Sequence, residues 1–272
     1  MGELRKRRLG ITGLMVSELG FGAMNIPDVA EGEETLRRAL DLGINFIDTA
    51  RAYRGSEYLI GRVIEKRERD SFIVASKTPS RSRDGALNDI DKSLKNLGVD
   101  RIDLYQLHDV SLADWDRVTS EDGALEGLKE AKEQGLIDHI GLTSHTIEVL
   151  DRAVDSEEFE TIQLRYNPFE REARHVVSLA RERDIGIIVM KPLGGLGMPA
   201  TLRGYQTPLN PKTMLRYALS NPSISVVIPG VRFPLEVEDN VALAASYEPM
   251  APAEISSCDE EADALQAKMA MR

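Results

Sequence analysis

Eight short apolar runs, separated by charge-rich amphipathic stretches, constrain this chain more than any other feature of its sequence. They are "SELGFG" (17–22), "INFIDT" (44–49), "SFIVASK" (71–77), "IDLYQLH" (102–108), "IDHIGLT" (137–143), "FETIQLR" (159–165), "IGIIVMK" (185–191) and "SISVVIP" (223–229). Strands this continuously apolar belong to a parallel sheet whose two faces are both covered. The intervening segments, such as "EGEETLRRALDLG" and "RDGALNDIDKSLKNLG", space apolar residues by three and four, as amphipathic helices do. Gly43 and Gly98 fall where the C-caps of those helices belong. Eight strand–helix units in 272 residues predict one domain over residues 1–272, a closed (β/α)8 TIM barrel. Residues 4–16 read as a β-hairpin capping its bottom, and 247–272 as a proline-punctuated tail with one late helix.

Composition narrows the function classes. A formal charge of −11 argues against nucleic acid as a main partner. The basic run Arg5-Lys6-Arg7-Arg8 is short and reads as a solvated strand edge. One cysteine, Cys258, leaves no internal disulfide and no cysteine-ligated metal site. No stretch approaches membrane-spanning length, and the N-terminus lacks the apolar segment of a signal peptide. The expectation is a cytoplasmic protein, monomeric or a small homo-oligomer, acting on a small molecule with no metal and no membrane partner.

In such barrels the chemistry gathers at the C-terminal ends of the strands. Those ends carry Asp48, Lys77 and His108, and Tyr53 follows Asp48 in its loop. Asp48 to Lys77 is 29 residues and Lys77 to His108 is 31, one strand–helix unit each, so the three side chains should converge on one mouth. Taken singly, each has an ordinary explanation: a helix cap, a solvated lysine, a core histidine. Together they form a metal-free device for protonating a developing alkoxide. The phenol is the acid, an ammonium lowers its pKa from about 10, a carboxylate anchors the ammonium, and an imidazole orients the carbonyl oxygen.

The chain resembles the aldo-keto reductases from about Leu4 to Asn240. "RRLGITGLMVSELGFGAM" is similar to the family's opening hairpin and first strand, "NFIDTARAYRGSEYLIG" to its Asp-and-Tyr motif, "IVASK" to its lysine strand and "DRIDLYQLH" to its histidine strand. The resemblance implies that Asp48, Tyr53, Lys77 and His108 are a catalytic tetrad. It further implies reduction of an aldehyde or ketone carbonyl by hydride from a nicotinamide cofactor bound without a Rossmann domain. By the same resemblance Gly22, Ala23, Met24 and Asp48 approach the cofactor, and Thr143, Ser144 and Gln163 bind its carboxamide, Ser144 standing where the family usually has Asn. Met190 stands where many members stack an aromatic ring. The segment Lys191, Pro192, Leu193 and Gly195 passes under the nicotinamide and pyrophosphate. Gly230, Arg232 and Asn240 meet the adenosine phosphate end, with Pro234 suited to a first helical position. The family default is NADP(H). Gly230 and Glu236 stand in place of the usual basic residues, Arg232 is the one nearby cation that could replace them, and Glu236 opens NAD(H) as the alternative. The substrate pocket is expected to include Met24, Tyr53, His108 and Trp115, with the loop "GLGMPATLRGYQTP" beside them.

Two other readings compete. "GFGAMN" (20–25) imitates half of a G-x-G-x-x-G loop, as in a Rossmann dehydrogenase, but its third glycine is Asn25 and the reading leaves Tyr53, Lys77 and His108 unexplained. The other is a non-catalytic barrel that binds the nucleotide as a redox sensor or as a subunit of a complex.

Overall fold

Parallel pairing of consecutive strands gathers the eight apolar runs into one sheet in the computed structural model, which describes residues 3–26, 30–195 and 198–270. Two strands, β1 (Lys6–Arg8) and β2 (Met15–Ser17), form an antiparallel hairpin. The barrel strands are β3 (Phe21–Gly22), β4 (Phe46–Asp48), β5 (Ile73–Thr78), β6 (Ile102–Leu107), β7 (Ile137–Thr143), β8 (Thr161–Arg165), β9 (Gly186–Met190) and β10 (Val226–Ile228). Around them run α1 (Ala30–Asp41), α2 (Ser56–Ile64), α3 (Arg83–Leu97), α4 (Trp115–Val118), α5 (Ala124–Glu133), α6 (Ile147–Ser156) and α7 (Arg174–Glu182). The series continues with α8 (Met198–Leu202), α9 (Pro211–Leu219), α10 (Pro234–Ala244) and α11 (Pro252–Ala270).

The sheet is closed. β3 through β10 pair in sequence order, and bridges Leu19–Val227 and Gly22–Gly230 join the last strand to the first. At that seam Gly22 donates its N–H to Pro229 O at 3.2 Å, and a Cβ on Gly22 would lie 2.9 Å from the same oxygen. A side chain there would open the barrel. β5 and β6 are buried at every residue, as strands between a core and a helical layer must be. The helices end as expected: α3 has Ser82 at its N-cap, and Gly98 closes it at φ +65°. A closed barrel rules out the open Rossmann sheet.

Some strands are shorter than the apolar runs that announced them. The run 17–22 is divided, because Ser17 pairs with Lys6 in the hairpin and only Phe21 and Gly22 pair with β4. Backbone partners, not hydrophobicity, set these ends.

The hairpin seals the lower end. Leu9 and Val16 pack into the barrel interior with Phe46, Ile73, Ala75, Leu104, Ile188 and Val226. Ile11 N–H reaches Asp184 O at 2.6 Å. Arg7 departs from the solvated edge expected of the basic run. It donates to the carbonyls of Leu219, Asn221 and Ile224 and pairs with the fully buried Glu18 at 2.8 Å. Tyr247, at the start of the tail, donates to the same Glu18 carboxylate at 3.0 Å, so hairpin and tail share one buried ion pair.

Gly10 makes the hairpin's closest approach, with φ +52° and a prospective Cβ only 2.2 Å from Gly186 N. Gly10→Ala combines a left-handed backbone with a clash against backbone, and we expect it to lower the unfolding free energy by about 2–4 kcal/mol. Urea denaturation reads this directly; an unchanged midpoint would contradict the seated hairpin.

Candidate active site

The strand ends open into a cavity of about 590 Å³. Asp48 closes β4, Lys77 is the next-to-last residue of β5, and His108 follows β6. All three line the cavity together with Tyr53.

Asp48 and Lys77 are buried, 2% and 0% exposed. Lys77 Nζ donates to Asp48 Oδ1 at 2.7 Å and to Thr49 O at 2.7 Å, so the ammonium is held from two sides. Burial pushes the Asp48 carboxyl up and the Lys77 charge pulls against it. Lys77 Nζ lies 5.1 Å from the centroid of the Tyr53 ring, and the His108 ring meets that ring edge-on with centroids 5.5 Å apart. Burial drives His108 down to about 3, with Lys77, Arg81 and His145 adding to the effect, so its imidazole is neutral across the physiological range. For Tyr53 the outcome differs from the expected acidification. Burial raises the phenol above its ordinary value, with Lys77 opposing.

The loop bearing Tyr53 is pinned by a group that residue patterns did not reveal. Glu57, 2% exposed at the start of α2, accepts hydrogen bonds from Ser76 at 2.7 Å and Ser93 at 2.6 Å and pairs with Arg51. Arg51 also donates its backbone N–H to Lys77 O at 3.0 Å, while Tyr53 N–H returns to Ala50 O at 3.0 Å. The loop that carries the phenol is thereby tied to β5 and to the residues just after β4. The sequence signal was there in "GSE", where an acidic residue enters an apolar helix, but its partners lie on other elements.

Of the residues expected at the cofactor, Gly22, Met24, Thr143, Gln163, Met190, Lys191, Pro192, Leu193, Gly195, Gly230 and Arg232 line this cavity. Ala23 is buried just behind Gly22, and Asn240 sits half-buried along α10, outside the lining. Ser144 turns away: its hydroxyl donates to Val110 O at 2.7 Å and so ties two loops together. Trp115 is also elsewhere. It begins α4 and lies outside the cavity lining, because its ring packs against Phe159 with centroids 6.4 Å apart. Of "GLGMPATLRGYQTP", Leu196 and Gly197 lie outside the described residues, and Arg203 reaches the cavity. Asp109 and His145 line it without having been singled out, and Asn25, named only against the glycine-loop reading, lines it too.

At the far end, Pro234 begins α10 as expected. The Glu236 carboxylate folds back to accept the N–H of Arg232 at 2.7 Å and of Phe233 at 3.4 Å. A carboxylate of this chain thus already uses part of that helix's anion-attracting end. Among the described residues no group of three or more His, Cys, Asp or Glu is placed to hold a metal. No described helix is long and apolar enough to cross a membrane.

Residues 18–213 match the model of the Aldo/keto reductase family. Among curated proteins, the chain is 31% identical over 205 residues to an uncharacterized oxidoreductase, YqkF, of Bacillus subtilis, covering 70% of this chain and 65% of that one. It is 28% identical over 293 residues to L-galactose dehydrogenase of Arabidopsis thaliana, covering 91% and 90%. Among solved structures, the holo form of aldo-keto reductase AKR11C1 from Bacillus halodurans superposes with a TM-score of 0.82 at 25% identity, over 95% of this chain and 96% of that one.

Lys77→Met leaves the Asp48 carboxylate buried without its counter-charge, which should cost about 3–5 kcal/mol of stability. Adding Asp48→Asn removes the stranded charge, so the double variant should be more stable than Lys77→Met alone. Chemical denaturation of wild type, both single variants and the double variant checks the order; additive losses would contradict a coupled pair.

Proposed function

We propose that this chain, which belongs to the Aldo/keto reductase family, reduces aldehyde or ketone carbonyls to alcohols with Tyr53 as the proton donor and NADP(H) as the dinucleotide. The observation that carries the reading is the shared cavity lined by Tyr53, His108 and the locked Asp48–Lys77 pair. A nicotinamide dinucleotide fits the residues present. Gln163 Oε1 is buried with no partner among the described residues, as an amide-binding oxygen would be. Arg232, the helix end of α10 and the side-chain-free Gly195 and Gly230 line the rest of the cavity. When bound, the dinucleotide supplies the hydride.

The chain's own residues handle the proton. His108, neutral, has a ring N–H to give the carbonyl oxygen and so orients it beside the Tyr53 hydroxyl. As negative charge builds on that oxygen, Tyr53 transfers its proton to it. Burial keeps the phenol protonated at neutral pH, so the donor is always loaded, and the far more basic alkoxide takes the proton readily. The tyrosinate left behind is stabilised by the Lys77 ammonium, which Asp48 and Thr49 O hold in place.

The choice of dinucleotide turns on two residues. Arg232 is the cation suited to a 2′-phosphate. Glu236, whose carboxylate sits on the Arg232 N–H, repels one and supports NAD(H) as the second reading. Arg232→Ala should weaken NADPH more than NADH in a fluorescence titration; equal losses would remove Arg232 from that contact.

Mixing the protein with NADPH and a panel of aldehydes, ketones and quinones tests the activity. Tyr53→Phe should lower kcat for reduction by about 100-fold or more while leaving the Kd for NADPH nearly unchanged. With His108 at about 3 and the phenol above its usual range, wild-type reduction should be flat from pH 6 to 9 and fall only in more alkaline solution, where the donor loses its proton. Quenched cofactor fluorescence with no substrate turned over would instead favour the sensor.

A further inference from the structure

Beside His108 the cavity contains a second polar group whose protons can be assigned. His145 Nδ1 lies 2.8 Å from Arg165 Nε. A guanidinium N–H can only donate, so Nδ1 is the acceptor and the neutral ring carries its proton on Nε2. Lys191 Nζ stands 3.3 Å from that same Nε2. An ammonium cannot donate to a nitrogen that already bears a proton. Two donors therefore face each other across the cavity wall with nothing between them to accept.

The neighbouring carboxylates do not fill that place. Glu170 is engaged by Arg165 at 2.6 Å and by Asn167 Nδ2 at 2.7 Å. Asp109 is the other candidate, but its Oδ1 is 4.0 Å from His145 Nε2, beyond hydrogen-bond distance, and its side chain is 59% exposed. Among the described residues no other acceptor is paired with the Lys191 ammonium. Burial and Arg165 both push the Lys191 amine down, the response of a cation short of counter-charge.

The backbone is committed to this arrangement. Lys191 adopts φ +51° and Asp109 φ +49°, left-handed conformations that a non-glycine residue keeps only when its surroundings impose them. At Lys191 the surroundings are visible. Asn167, fully buried, donates Nδ2 to Lys191 O at 3.1 Å, and Gly194 N–H donates to the same oxygen at 2.9 Å. A buried amide thus holds the lysine in a strained turn whose side chain meets a histidine with its donor aimed the same way.

We infer that His145 and Lys191, oriented by Arg165 and Asn167, form an oxyanion seat in this cavity, taking a carboxylate oxygen carried by the carbonyl substrate. The inference rests on the carbonyl-reductase reading above and adds to it: the cavity that protonates a carbonyl oxygen also grips a second, permanently charged oxygen. The preferred carbonyl compounds therefore carry an acid group.

Two measurements on Lys191→Gln separate this role from a cofactor contact. The first is kcat/KM for succinic semialdehyde relative to butanal, four-carbon aldehydes that differ in the terminal carboxylate. The second is the Kd for NADPH from fluorescence quenching, which needs no turnover. A selective fall of about tenfold or more for succinic semialdehyde supports the seat. A rise in Kd of similar size with the aldehyde ratio unchanged overturns it and leaves Lys191 a dinucleotide contact, and wild-type values of both overturn it as well. Arg165→Gln frees the histidine tautomer and should lower the aldehyde ratio by less; wild-type behaviour there overturns the orienting role. A wild-type protein that turns over no aldehyde sinks the reductase reading; the seat is then read from the Kd of succinic semialdehyde for wild type against Lys191→Gln, and equal values overturn it.

Discussion

The ion pair between Lys77 and Asp48 is the constraint around which the upper barrel is organised. Both side chains are almost wholly removed from solvent. Two charges in such a place are tolerated only when each finds the other and further hydrogen bonds satisfy what remains. Lys77 meets this with two acceptors at 2.7 Å, one of them the carbonyl of Thr49. That second bond matters as much as the first, because it fixes the chain just after β4 to β5 and so sets where the loop to Tyr53 begins. Removing either charge therefore disturbs fold and site together.

Around that pair the structure repeats one device, a buried carboxylate binding segments far apart in sequence. Glu57 holds the Tyr53 loop through Arg51, Ser76 and Ser93. Glu18 holds the hairpin and the tail through Arg7 and Tyr247. In each case a polar residue inside an apolar environment specifies one geometry, since a displaced partner would leave a charge uncompensated. One carboxylate pins the loop beside the cavity, and the other pins the plug at the opposite end of the barrel.

Much of this was legible in residue order because strand ends in a barrel must converge. An aspartate closing "NFID", a lysine near the end of "IVASKT" and a histidine after "IDLYQL" break apolar runs where water or a ligand is near, and a closed barrel brings such breaks to one mouth. What escaped were contacts whose second partner sits on another element. Arg7 looks like a solvated edge until the carbonyls of Leu219, Asn221 and Ile224 surround it. Trp115 looks like a pocket residue until Phe159 receives it outside the cavity lining. Ser144 sits in the expected segment, yet its hydroxyl answers to Val110 O, a neighbour 34 residues away. Periodicity reports which face of an element is buried; it is silent on which remote atom completes a hydrogen bond.

Charge distribution completes the picture of how such a cavity can work in an acidic protein. The chain carries −11 overall, yet Lys77, Lys191, Arg203 and Arg232 all line the cavity. At physiological ionic strength charges more than about 8 Å apart are largely screened. The negative surface therefore does little to turn away an anionic ligand, and the ligand responds mainly to cations it reaches at close range. Two carboxylates also stand at the rim, Asp109 at 4.0 Å from His145 Nε2 and Glu236 on the backbone N–H of Arg232. Among the described residues neither is paired with the Lys191 ammonium or the Arg232 guanidinium, so no resident acid meets those two cations in contact. The cavity of an acidic protein is thus locally cationic where these side chains stand, and it is short-range contact rather than net charge that an anion entering it would feel.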